Sequence, residues 1–270
     1  MALTTCSQLQ RINSERPARA VRLLGGFMAF DGEFRMGNGS VNGSATATVA
    51  QPDLTPAAMK IRFKEKCIPL GTRHRNWQVR VHRSLSWLKR ADQFTDEQPE
   101  AHFLFLWIAL NSLYSGWDGA TNAPRFDTQA RDEFLRRVCD WDKPLLTQMV
   151  KDSRGLVKKL LENPFLAASF WKQPDHPQAK TWATADAGHL DRHLKNGEIS
   201  IVLVKVMHRL FIFRGQLVHG ASSGGSRLNR RSMKYCLWAL QKFVPVLVHV
   251  VIEHGCHDDW PDLCYPPLSG

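Results

Sequence analysis

The chain has 270 residues, 43% of them hydrophobic, and lysine plus arginine exceed aspartate plus glutamate by 11, a composition that supports one sizeable core, or one domain with an appendage. Six cysteines, at positions 6, 67, 139, 236, 256 and 264, form no Cys-x-x-Cys pair and exclude a disulfide-dense secreted module, which points to reduced thiols and a cytoplasmic protein. The longest apolar run, Phe243–Ile252, contains Pro245 and His249 and falls well short of the roughly 18 residues that suit a membrane span, so no membrane partner is expected.

The N-terminal stretch carries Arg11, Arg16, Arg19 and Arg22 with Glu15 among them, and lacks the apolar stretch and cleavage site of a secretory signal. From Met36 to Pro56, Gly, Ser, Asn, Ala and Thr dominate. Such a segment cannot bury enough area to offset its ordering entropy, so residues 1–58 are expected to form a disordered leader. A start codon assigned too far upstream accounts for the leader equally well. The folded domain is then expected at 59–270.

Within it the patterns are helical. Trp77, Val81, Leu85 and Leu88 recur at steps of four, four and three, one stripe of a helix ringed by arginines. The next segment opens with Pro99 and Glu100, both suited to a first helical turn, and runs apolar to Tyr114 with Asn111 as its polar interruption. A central bundle helix fits it, and a buried strand over Phe103–Leu110 competes. After a loop, residues 128–140 and 143–162 predict two amphipathic helices. A short helix at 165–172 and a polar helix near 182–195 follow. Ile199, Val202, Leu203, Val206 and Leu210 carry helical spacing, and a last long helix runs from Arg230 to His254 with a kink expected at Pro245. No strand–helix alternation and no glycine-rich phosphate loop occurs. The expected fold is all-α: an antiparallel helical bundle of four to five core helices, with extra helices and the leader.

Charge is concentrated. Residues 60–92 hold ten basic and two acidic side chains, a patch suited to a polyanion, nucleic acid first, or else a solvated helix face without a partner. His249, His254, Cys256, His257 and Cys264 crowd the tail, but their spacing matches no tetrahedral zinc template, so neither a metal nor another cofactor is expected.

Arg214 lies four residues after Leu210 and three before Leu217, inside the apolar stripe of its helix. A guanidinium stays charged, and burying it unpaired costs several kcal/mol. It must meet a carboxylate such as Glu253, a group of carbonyls, or an incoming anion. His219 precedes Gly220, where the helix should stop. Five residues advance a helix by about 500°, which leaves His219 about 140° from Arg214 and roughly 7.5 Å further along the axis. To act together, either the backbone leaves the helix near Gly215 or Gly220, or a second copy of the pair approaches across a twofold axis. Alone, His219 is a helix-capping histidine.

The run Arg214-Gly-Gln-Leu-Val-His219-Gly, at the end of an apolar helix and before another long helix, resembles the Arg-x4–6-His motif of the HEPN superfamily. The segment Phe103–Ser115 is similar to the matching inner helix of Apea-like HEPN domains. The resemblance spans roughly 75–240 by helix order, with about thirty residues in two blocks carrying it. It implies a homodimer that brings two Arg/His pairs into one cleft and a metal-independent endoribonuclease leaving 2′,3′-cyclic phosphate ends, of the kind found in toxin–antitoxin or antiphage systems, where an antitoxin protein is a further partner. Arg214 and His219 are then the catalytic candidates, and Asn111, on the facing helix, could orient either. The basic helix with Arg80 and Arg83, and the cluster Arg227, Arg230, Arg231 and Lys234, would hold the RNA backbone. The family usually has Asn, Asp or His directly after the arginine; Gly215 stands there instead. The alternative implied by the same resemblance is a non-catalytic HEPN module that binds RNA, a nucleotide or a protein.

Overall fold

Helix α1 (Pro56–Cys67) begins where a capping hydroxyl meets a proline. Thr55 Oγ1 accepts from the Ala58 amide at 3.3 Å, and Pro56 fills a position whose N–H would go unused. Residues 52–71, 74–94, 97–221 and 229–265 are described by a computed structural model of the chain. The folded chain thus starts earlier than the expected boundary at residue 59, since Leu54 already packs against the core and residues 56–58 form the first turn of α1. The leader up to residue 51 lies outside the described residues.

The architecture is all-α. Its core helices are α2 (Arg75–Ala91), α3 (Pro99–Tyr114), α4 (Asp127–Trp141), α10 (Ile199–Val218) and α11 (Arg230–His254). The stripe Trp77, Val81, Leu85 and Leu88 is buried as its spacing predicts. Helices α2 and α3 pack closely and run antiparallel: Arg80 near the start of α2 reaches the Leu113 carbonyl at the end of α3, while Phe94 beyond α2 meets Phe105 with ring centroids 4.7 Å apart. The strand that competed for Phe103–Leu110 is ruled out, because this segment is helical and buries residues on most of its circumference.

Helix α11 packs on α3 and also touches α1, α2, α4 and α6. By length and composition the Arg230–His257 segment could cross a membrane, yet 67% of its most apolar window is buried inside the fold, with Val244, Leu247, Val248 and Val251 fully enclosed. It serves as the core helix and continues through Pro245.

Two expected helices are divided. Residues 143–162 form α5 (Lys143–Asp152) and α6 (Arg154–Leu161), separated at Ser153 with φ −99° and ψ 10°. After a 3₁₀ turn and α7 (Ala168–Lys172), the expected polar helix forms α8 (Ala179–Gly188) and α9 (Leu190–Lys195), broken at His189. The loop after α3 contains a two-stranded antiparallel hairpin, β1 (Trp117–Asp118) with β2 (Ala123–Pro124), and Gly116 bridges to Leu263 in the tail.

The tail closes the end of the bundle formed by α1, α2 and α11. Trp77 Nε1 donates to the Val251 carbonyl at 2.9 Å, and Trp260 Nε1 donates to the Gly255 carbonyl at 2.7 Å. A Cβ on Gly255 would stand 3.1 Å from Trp260 Cζ2 and 3.3 Å from two atoms of the Trp77 indole. Both rings are buried and tied by those hydrogen bonds, so neither can yield cheaply. Gly255→Ala is expected to destabilise the protein by about 1–3 kcal/mol through overpacking, read as a lower urea midpoint with an unchanged m-value.

Glu253 ties α1 to the end of α11. Arg62 donates to it through Nε at 2.6 Å and Nη2 at 3.0 Å, and Lys66 Nζ lies 3.0 Å from Oε2. The Arg62 hydrogen bonds, joined by those of Lys66, hold the carboxyl down from its ordinary 4.5 to about 2. A depressed carboxyl contributes stability that is present above its unfolded value and is lost as pH falls through the folded one. The wild-type advantage over Glu253→Gln in urea unfolding should therefore be full at pH 7 and vanish between pH 4.5 and 2.

Candidate functional site

The site begins with the way α10 ends. Leu203, Val206, Met207, Leu210 and Phe213 are buried and hold the helix against α4, α5 and α6. Its last turn closes in a Schellman arrangement: the Ala221 amide donates to the Gln216 carbonyl at 2.9 Å and the Gly220 amide to the Leu217 carbonyl at 3.3 Å. Gly220 adopts φ +68°, a left-handed conformation that suits glycine. His219 is the C-cap residue. The backbone thus leaves the helix at Gly220 and not at Gly215, whose carbonyl accepts the His219 amide in regular helical fashion.

Because α10 stays helical through Val218, Arg214 and His219 diverge by the angle that helical spacing gives, about 140°. Within one chain they are not brought together. Arg214 is half-buried and His219 is exposed. Among the described residues, neither side chain takes part in a hydrogen bond or an ion pair. Glu253, the carboxylate weighed as a partner for Arg214, is occupied by Arg62 and Lys66.

Near Arg214, α3, α4 and α10 meet in a polar niche around Tyr114. Trp107, Asn111 and Tyr114 follow one another at steps of four and three along α3, so they share a face. Trp107 lies 6.3 Å from the Phe211 ring of α10, and Tyr114 lies 6.0 Å from the Phe134 ring of α4. Burial first, and then the negative charge of Asp127, push the Tyr114 phenol well above its ordinary value, while the positive charges of Arg131 and Arg214 pull the other way. Arg214 is therefore within electrostatic reach of Tyr114.

Four polar atoms of this niche are buried without a hydrogen-bond partner: Trp107 Nε1, Asn111 Oδ1, the Tyr114 hydroxyl and Arg131 Nη1. The hydroxyl approaches Asp127 without reaching hydrogen-bond geometry. Arg131 is fully buried in α4, with its face over the Phe211 ring at 5.2 Å and its Nη2 on Asp132 at 2.8 Å. Buried polar atoms are nearly always paired, so unpaired ones at a shared junction mark a place for water or a ligand. Asn111 was expected here from the sequence. Tyr114, Asp127 and Arg131 were not, although Arg131 falls in the apolar stripe of Phe134 and Val138 and could have been found by the logic that singled out Arg214.

The expected RNA-contacting cations divide four ways. Arg80 is a correction: it is 1% exposed, and its guanidinium donates to the carbonyls of Ser115, Pro261 and Asp262, so it has no surface to offer a phosphate. Arg83 is half-buried and holds the tail through the carbonyls of Cys264 and Tyr265. Arg227 lies outside the described residues. Arg230, Arg231 and Lys234 are exposed on the first turns of α11. Aromatic rings lie among these cations: Lys234 Nζ stands 4.7 Å over the Trp238 ring, Lys159 of α6 stands 5.0 Å over Tyr235, and Tyr235 and Trp238 are 6.0 Å apart.

No group of three or more His, Cys, Asp or Glu side chains among the described residues is placed to hold a metal ion. In the tail, His257 meets the ring of His74 edge-on at 5.9 Å, and burial lowers the pKa of His249.

The fold and site define an all-α bundle with a half-buried, unpaired arginine beside a partly unsatisfied polar niche. No family model, no curated protein and no solved structure matches this chain.

Proposed function

We propose that the protein is a metal-independent endoribonuclease of HEPN type, in which Arg214 and His219 act on the ribose–phosphate link. The observation that carries it is the state of Arg214: a permanent cation held half-buried beside the Asn111–Tyr114 niche, with no carboxylate or carbonyl of the described residues to satisfy it. An incoming phosphate supplies what it lacks, since a guanidinium matches phosphate bidentately and keeps its charge.

RNA brings its own nucleophile. A base removes the 2′-hydroxyl proton, the 2′-oxygen attacks phosphorus, and the 5′-oxygen leaves with a proton from an acid, giving a 2′,3′-cyclic phosphate and a 5′-hydroxyl. An exposed imidazole can serve as base or acid, and Arg214 offsets charge on the phosphorane. The 140° divergence places the two groups on different sides of one helix, so the complete site needs a second copy of the chain about a twofold axis. The exposed Arg230, Arg231, Lys234 and Trp238 supply a cationic and aromatic surface for the backbone and bases.

That same divergence favours a second reading, a module that binds RNA through these groups without cleaving it. Incubation of the full chain with labelled RNA in excess chelator separates the two. Cleavage to cyclic phosphate ends supports the nuclease, cleavage only with added magnesium overturns it, and salt-sensitive binding of intact RNA favours the module.

A further inference from the structure

A second polar site lies on the opposite side of α10 from Arg214. A cavity of about 510 Å³ opens between α4, α8, α10 and the segment 166–169, within the ordinary size range of small-molecule sites. Lys205, His208 and Arg209 stand at steps of three and one along α10 and line it together. Lys205 is about 180° from Arg214 around the helix, and Phe211, about 60° from Arg214, forms the partition between the two sites.

The charged groups here are paired with one exception. Arg209 is 4% exposed; its Nη2 donates to the Ala183 carbonyl at 2.7 Å and to Asp186 Oδ2 at 3.3 Å, and its Nη1 is buried without a partner. Asp186 must also serve Lys205, which binds its other oxygen. Asp132 is held by Arg131 on Oδ1 and by His208 Nε2 on Oδ2, the latter at 2.8 Å. Asp132 is neutralised from behind by the buried Arg131, so Lys205 and Arg209 stand over the cavity against Asp186 alone. Positive charge is left over in a recess partly shielded from water, where it attracts an anion more strongly than on an open surface. The remaining wall mixes polar Thr128, Gln129 and Ser169 with apolar Phe211, Leu166 and the half-exposed indole of Trp182, which stacks on His176 at 4.3 Å.

We propose that this cavity binds a small molecule carrying one oxyanion group, a carboxylate or a phosphate, on an aromatic body. The anion lies against Lys205, His208 and the free donor of Arg209, and the ring lies between Phe211 and Trp182.

The test titrates the full chain with phenyl phosphate, benzoate and neutral benzamide. The readout is the indole N–H resonance of Trp182, assigned with Trp182→Phe. Saturable shifts with phenyl phosphate or benzoate, weakened tenfold or more in both Lys205→Gln and His208→Gln, establish the site. The acid that binds more tightly shows whether a phosphate or a carboxylate is preferred. Both substituted positions are accessible enough to leave the bundle folded, which circular dichroism checks, whereas the buried Arg209 is left intact. The proposal fails if neither acid shifts Trp182 at about 10 mM, if benzamide binds as tightly as the acids, or if folded Lys205→Gln and His208→Gln bind as wild type does.

Discussion

His219→Ala is expected to lower the rate of RNA cleavage by about 10²–10⁴-fold, the usual loss when a positioned acid or base is removed. Arg214→Ala should cause a loss of about 10²–10³-fold, comparable to removing a donor to a developing oxyanion. Stability should scarcely change in either variant, because His219 is exposed and Arg214 has no hydrogen-bond partner to strand. Parallel activity and urea-unfolding curves therefore distinguish chemistry from folding. Mixing the two inactive variants tests the geometry further. If each cleft pairs the arginine of one subunit with the histidine of the other, mixed dimers keep one intact pair and regain activity. If the pair acts within a chain, mixing restores nothing. Gly215 provides an internal control: a Cβ there meets no atom within 4 Å and the backbone is already helical, so Gly215→Ala should stabilise by roughly 0.5–1 kcal/mol without displacing Arg214.

The bundle was legible because its stripes are local. Trp77, Val81, Leu85 and Leu88 mark a buried face by spacing alone, and the apolar run of α3 marks an inner helix. The break at Ser153 was less visible, since it carries no proline or glycine, whereas Gly188 marks the end of α8 just before His189. The hairpin after α3 depends on a tail almost 150 residues later, through Gly116 and Leu263. The candidate site was half legible. Arg214, His219 and Asn111 stand out as polar residues in or beside apolar runs, but the niche around Tyr114 needs Asp127 and Arg131 from another helix. Likewise, the cavity on the far side of α10 joins that helix to α4 and α8, and local spacing within one segment does not announce such a meeting.

The arginines show where local spacing gives way to tertiary context. An arginine within an apolar stripe must find a partner, and the same argument applied to Arg80, which lies three residues after Trp77 and one before Val81, would have made it structural. Its partners are what the sequence hides. They are the carbonyls of Leu113 and Ser115 at the end of α3, which lack helical donors, and those of Pro261 and Asp262 in the tail. Arg80 thus caps α3 and fastens the tail with one side chain, its guanidinium 5.5 Å from the Trp260 ring. Burial, with the nearby charge of Arg137, draws its pKa down to about 10, so it remains a cation at neutral pH. Arg80→Met keeps much of the apolar stem but leaves the Leu113 and Ser115 carbonyls without the donor they have in the wild type, whereas Pro261 and Asp262 keep Asn76 Nδ2 and the Trp117 amide. The expected loss is about 1–3 kcal/mol, the range for leaving buried acceptors unsatisfied, a sizeable share of the stability of an ordinary domain. Arg83→Ala, whose tail contacts are partly exposed, should cost about 1 kcal/mol or less. The opposite assignment makes a different prediction: an Arg80 that contacts phosphate would leave Arg80→Met fully stable, weaken RNA binding and reduce the salt dependence by about one unit of slope. Urea unfolding beside an RNA titration at two salt concentrations decides between them, and the four carbonyls around the guanidinium favour the loss of stability.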